Sequence, residues 1–192
     1  MKNIILKKGL TIVEMLVVVS IVVLFSALVF GNYSVGKDGL ALERAAQKLT
    51  QDYRRAQEIA MAGSFGTSYN AVGLFFDESS PYEYVLYNNY ETAAPIYYNY
   101  DGGGMSQDTE REAIAIEAGI KICDIIDNDN DGGTPVSPTS ISVSFAPPEP
   151  VTRINEGNTD HDVSIVLCVI NDNSKIKVVN INNLGRIDVN NQ

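Results

Sequence analysis

The stretch LTIVEMLVVVSIVVLFSALVF, residues 10–30, decides how this chain is read. It carries one charged side chain, Glu14, and is apolar on every face when wound as a helix. At 1.5 Å per residue, a helix over this run reaches roughly 30 Å, the thickness of a bilayer's hydrocarbon core. Lys2, Lys7 and Lys8 precede it, and no basic residue follows until Lys37. That asymmetry predicts a single-pass protein of the cytoplasmic (inner) membrane, its N-terminus cytoplasmic and its C-terminal domain outside. A secretory signal peptide fits less well, because the apolar run is long and no small-residue cleavage site follows it. A carboxylate inside such a segment is costly unless paired, so Glu14 is read as functional.

Beyond residue 30 the pattern changes twice. Three glycines between residues 31 and 39 soften the helix. Leu42, Ala45, Leu49, Tyr53, Ala56 and Ala60 then recur at spacings of three and four, and Gly63 is a natural stop. After Gly63, short alternating runs predict strands at 71–76, 84–87, 96–98, 113–116, 120–126, 141–145, 163–170, 176–181 and 186–189. The expected class is α+β: a long N-terminal helix, transmembrane then amphipathic, packed on antiparallel β-sheet. The expected division is a cationic head at 1–9, a transmembrane helix at 10–30, its amphipathic continuation at 31–63, and a β-rich extracytoplasmic domain at 64–192.

Composition narrows function. The 192 residues carry 24 acidic and 14 basic side chains, a formal charge of −10. Loss of Lys2, Lys7 and Lys8 would take this to −13. Such acidity disfavours nucleic acid as a partner. One histidine and two cysteines leave no His- or Cys-rich zinc site. His161 stands between Asp160 and Asp162 without a nucleophile motif, so no enzyme is read here. Arg54-Arg55 reads as a solvated helix face.

Two features leave alternatives open. Asp127, Asp129 and Asp131, followed by Gly132, match the first half of a calcium loop, in which alternate carboxylates converge on one hard cation. Pro138 stands where the closing Glu is required, and an Asn-rich surface turn explains the same residues. Calcium is the one cofactor considered, and none is required. Cys123 and Cys168 fit either a disulfide or two small buried hydrophobes.

Lys7-Lys8-Gly9-Leu10-Thr11-Ile12-Val13-Glu14-Met15 resembles the leader and mature start of type IV pilins and type II secretion pseudopilins. The resemblance implies cleavage by a prepilin peptidase between Gly9 and Leu10 and N-methylation of Leu10. It implies that Glu14 pairs with the new amine of a neighbouring subunit, although the amine of its own helix lies about one turn away. Residues 42–63 and the Gly185-Arg186 turn look like those of GspH/FimT-type minor pseudopilins. Asp188, where DNA-uptake relatives carry a second Arg, argues against DNA binding. The function implied is a structural minor pilin or pseudopilin in a pilus or secretion pseudopilus. Its partners would be other pilin subunits and an inner-membrane assembly platform. The alternative is a membrane-anchored calcium-binding surface or adhesive module.

Overall fold

A computed structural model describes residues 11–63, 71–90, 100, 109–129, 135–146, 151–154 and 161–191. One helix, α1 (Ile12–Gly63), comes first, and strand dominates everything after it. The chain divides into two compact units, Met1–Asp38 and Gly39–Gln192. The helix runs on through residues 31–39 despite their glycines.

In the second unit, β1 (Ala71–Asp77), β2 (Glu83–Asn89), β3 (Thr109–Ala115), β5 (Ser140–Ala146) and β6 (Val151–Ile154) form one antiparallel sheet in the order β3-β2-β1-β5-β6. A second antiparallel sheet has the order β4-β7-β8-β9, built from β4 (Ile120–Asp129), β7 (His161–Val169), β8 (Asp172–Ile181) and β9 (Ile187–Asn191). The period of two sends Val72, Leu74 and Phe76, then Ile141, Val143 and Phe145, to one face of the first sheet. Val163, Ile165 and Leu167, with Val179 and Ile181, do the same in the second. Leu42, Ala45, Ala46, Leu49, Tyr53, Ala56 and Ala60 complete one continuous core from the helix side.

The expected fold class needs correction. The protein is mostly β, with two sheets in place of one, and the helix does not pack along them over its whole length. Only the turns from Ala41 to Ala60 enter the core, whereas every described side chain from Ile12 to Leu28 is exposed. The membrane expectation is corrected too: among the described residues, no helix is long and apolar enough to cross a membrane. Hydropathy along residues 10–30 records a dislike of water and does not say whether lipid or other protein covers the helix. The transmembrane assignment of residues 10–30, and the single-pass location drawn from it, are withdrawn.

Polar contacts fix the helix against its own unit. Arg44 pairs with Glu117 at 3.2 Å and Arg55 with Glu112 at 2.8 Å, while Lys48 Nζ donates to the Ala115 carbonyl at 2.8 Å. Arg54 and Arg55 are both exposed, as a solvated helix face would be, and Arg55 also pairs with Glu112 on an edge strand. Exposed pairs of this kind add little individually. Lys177, 8% exposed on β8, pairs with Glu43 and closes the other side of the helix. The Tyr84 hydroxyl donates to Asp52 at 2.5 Å.

Cys123 and Cys168 are joined in a disulfide with Cα atoms 5.9 Å apart, which resolves the question the sequence left open. Cys123 sits where the β4–β7 register shifts between Ile122 and Asp124, so the extra residue is the one that carries the bond.

Three outcomes follow from this packing. The disulfide spans a sequence separation of 45, and chain entropy then gives it about 4 kcal/mol. Paired Cys123→Ser and Cys168→Ser substitution should lower the denaturation midpoint by a matching amount. Gly73 lies opposite Tyr87, whose ring would be 2.7 Å from any added Cβ. Gly73→Ala should therefore cost about 1–3 kcal/mol in urea titration. Burial pushes the Tyr53 phenol well up, and burial followed by the Asp52 contact pushes Tyr84 up. A raised folded-state value stabilises below the unfolded phenol pKa of about 10 and is lost above it. Stability should fall as pH rises past about 10, less steeply in Tyr53→Phe. Among the described residues the Tyr53 hydroxyl has no hydrogen-bond partner, so at neutral pH that variant should be as stable as the parent or more so.

Candidate functional site

The head of α1 is the most distinctive site in the first unit. Thr11 precedes the helix, and its carbonyl accepts the Met15 N–H at 3.2 Å, which makes it the N-cap. The Glu14 N–H donates to Thr11 Oγ1 at 3.3 Å, and the Thr11 N–H donates to Glu14 Oε2 at 3.3 Å. This reciprocal pair is a capping box. It satisfies two of the amides that a helix start otherwise leaves unpaired, and it places a carboxylate at the positive end of the helix dipole. Thr11 was not singled out by sequence reasoning. The signal was nevertheless present, as Thr-x-x-Glu directly before an apolar run.

Beyond the box, Ile12, Leu16, Val19, Val23 and Leu24 are 86%, 65%, 58%, 60% and 66% exposed. They belong to a helix surface apolar all round, with Ser20 and Ser26 donating back to the carbonyls of Leu16 and Val22. Those serine bonds hide the only hydroxyls between Ile12 and Leu28, so that surface offers a partner almost nothing but hydrocarbon and the Glu14 carboxylate. Gly9 and Leu10, the expected cleavage and methylation positions, lie outside the described residues.

The other expected sites fare differently. Asp127 and Asp129 belong to strand β4, where they pair with Val163 and His161. The Asp127 amide and carbonyl are also bridged to Val136, at 2.8 and 3.0 Å. Asp131 lies outside the described residues. Among the described residues, no group of three or more His, Cys, Asp and Glu side chains could hold a metal. His161 opens strand β7 rather than lying in a loop. Gly185 takes a positive φ of 75°, and Arg186 pairs with Asp188 at 2.9 Å, so the Gly-Arg pair is a hairpin turn with its cation engaged.

The outer face of the four-stranded sheet holds a groove of about 420 Å³ lined by Asp124, Asn128, Ser164, Val166, Val178 and Asn180 among others. Its size would suit a small ligand. Asp124 is its one carboxylate, and Asn128 already donates to Ser164 at 3.1 Å. Among the described residues that line it, Asp124 has no second titratable group beside it. Comparison with protein-family models, curated proteins and solved structures finds no match to this chain.

The capping box predicts a local effect. Thr11→Ala should cost about 1 kcal/mol of helix-start stability, read as faster amide exchange at Val13–Met15 with exchange in the β-sheets unchanged.

Proposed function

We propose that this chain is a non-enzymatic structural subunit. It is processed between Gly9 and Leu10 and assembles through its N-terminal helix into a filament of the type IV pilus or type II secretion pseudopilus class. The observation that carries this reading is the helix surface from Ile12 to Leu28, exposed on every face and headed by one carboxylate. Apolar surface of that extent is not left in water by a stable monomer. A bundle of like helices buries it without help from the β-domain, which keeps its own closed core.

Glu14 gives the bundle its register. Cleavage before Leu10 creates an α-amine next to the capped turn, and a cation at that height is the group a carboxylate in an apolar bundle requires. A neighbour packed out of step would leave both charges buried and unmatched, which costs more than the pair itself contributes. Processing therefore supplies the partner that assembly needs.

Co-expression with a prepilin peptidase, followed by mass spectrometry of the intact product, tests the reading. A mature chain beginning at methylated Leu10 is expected, and a product that keeps residues 1–9 would overturn it. Glu14→Ala should be cleaved normally yet enter filaments at least tenfold less well, as measured by immunoblot of sheared filaments; normal entry would remove the pairing role.

A further inference from the structure

Sheet edges expose unpaired amides and carbonyls, and proteins ordinarily shield them. Three of the four edges here are shielded. Arg55 and Lys48 reach over β3, and Val136 bridges β4. The short β6 abuts the β8–β9 turn, where the Thr152 N–H donates to the Asn183 carbonyl at 3.4 Å. The fourth edge, β9, has no described strand on its outer side. We propose that β9 is a self-association surface, pairing antiparallel with β9 of a second copy about a two-fold axis at Val189.

The register follows from the hairpin. The Asn182 N–H donates to the Arg186 carbonyl at 3.0 Å, so these two residues face each other through hydrogen bonds. Bonded and non-bonded pairs alternate along an antiparallel ladder. In the pairs Asn180–Asp188 and Val178–Asn190, the β9 amides therefore turn toward β8. Those of Ile187, Val189 and Asn191 turn outward. A two-fold axis at Val189 sets outward groups against outward groups and forms about six backbone hydrogen bonds.

Side chains favour the same axis. Asp188 of each copy then lies opposite Asn190 of the other, a carboxylate meeting an amide donor at the closer, non-bonded spacing. An axis one residue earlier would place the two Asp188 carboxylates face to face. An axis one residue later would pair fewer residues. The sequence of β9 is thus complementary to itself in one register and penalised in the nearest alternative. The proposal is independent of the filament reading, which concerns a different part of the chain.

Amide hydrogen exchange on full-length protein tests it, in a non-ionic detergent that covers the exposed helix. The amides of Ile187, Val189 and Asn191 should exchange slowly at high protein concentration and rapidly on dilution. Asn190→Asp sets Asp188 against a second carboxylate and should shift that midpoint upward about tenfold. The double variant Asp188→Asn/Asn190→Asp restores the complementarity and should restore the midpoint. Protection at β7 and β8 reports that each variant is folded. Concentration-independent exchange at β9, or an unchanged midpoint in folded Asn190→Asp, would overturn self-pairing. A midpoint left high in the double variant would overturn the register.

Discussion

Two sheets share one helix surface, and the rest of the domain depends on how that surface is made. Between Ala41 and Ala60 the buried positions mix methyl-sized and large side chains, with Ala45 and Ala46 before Leu49 and Tyr53, and Ala56 and Ala60 after them. The alanines let strands approach the helix backbone, while Leu49 and Tyr53 fill the space between the sheets. Tyr53 meets Phe76 at a ring-centroid distance of 5.8 Å, and Phe76 meets Tyr84 at 5.4 Å, so one aromatic run leads from helix to sheet. Remove the helix contribution and both sheets would expose their inner faces together.

The same economy explains the polar groups at the periphery of that core. Lys177 projects from the inner face of β8, opposite Leu167, where a hydrocarbon side chain would be expected. Its stem covers apolar surface and its amine finds Glu43 at the rim. The outer face of the first sheet is closed differently. Tyr100 packs on Phe75 and Tyr87 at 5.0 and 5.1 Å, and its amide donates to the Ser142 hydroxyl at 3.0 Å. Gly73 is glycine because Tyr87 crosses over it.

Much of this was legible in the sequence. The helical stripe Leu42–Ala60 and the alternation at 141–145 and 163–170 mark buried faces directly, because period alone decides which side chains share a side. The β8–β9 turn could be placed from Gly185. Strand β6 was missed, since Val-Thr-Arg-Ile is too short to show a period. That the strands divide into two sheets was not legible either. Division is a property of long-range pairing, and β5 joining β1 rather than β4 leaves no local trace. Apolarity around residues 10–30 suggested a membrane, because hydropathy records dislike of water without saying what replaces it. Thr11 escaped notice for a different reason. Its role lies in the reciprocal bonds with Glu14, and attention to charge alone isolated the acid from its partner.

The two units present opposite solutions to one physical problem. The β-domain buries its apolar residues internally and blunts most of its edges with ions, a bridge and a turn. The N-terminal helix buries nothing of its own from Ile12 to Leu28 and spends its few polar groups on its own backbone. A helix with satisfied amides and uncovered side chains draws its stability from packing against something else, which in the proposed filament is a bundle of like helices. Its association is then governed by hydrocarbon burial, which is non-directional and cannot select a register. In the proposed filament, direction would come from the single carboxylate at its head. An acid held by Thr11 in the isolated chain has its hydrogen bonds supplied locally, so a partner amine must offer more than those bonds to engage it. Full charge in a dry environment does offer more. In the filament proposed above, the capping box would set the threshold that a correct neighbour passes and an uncharged one does not.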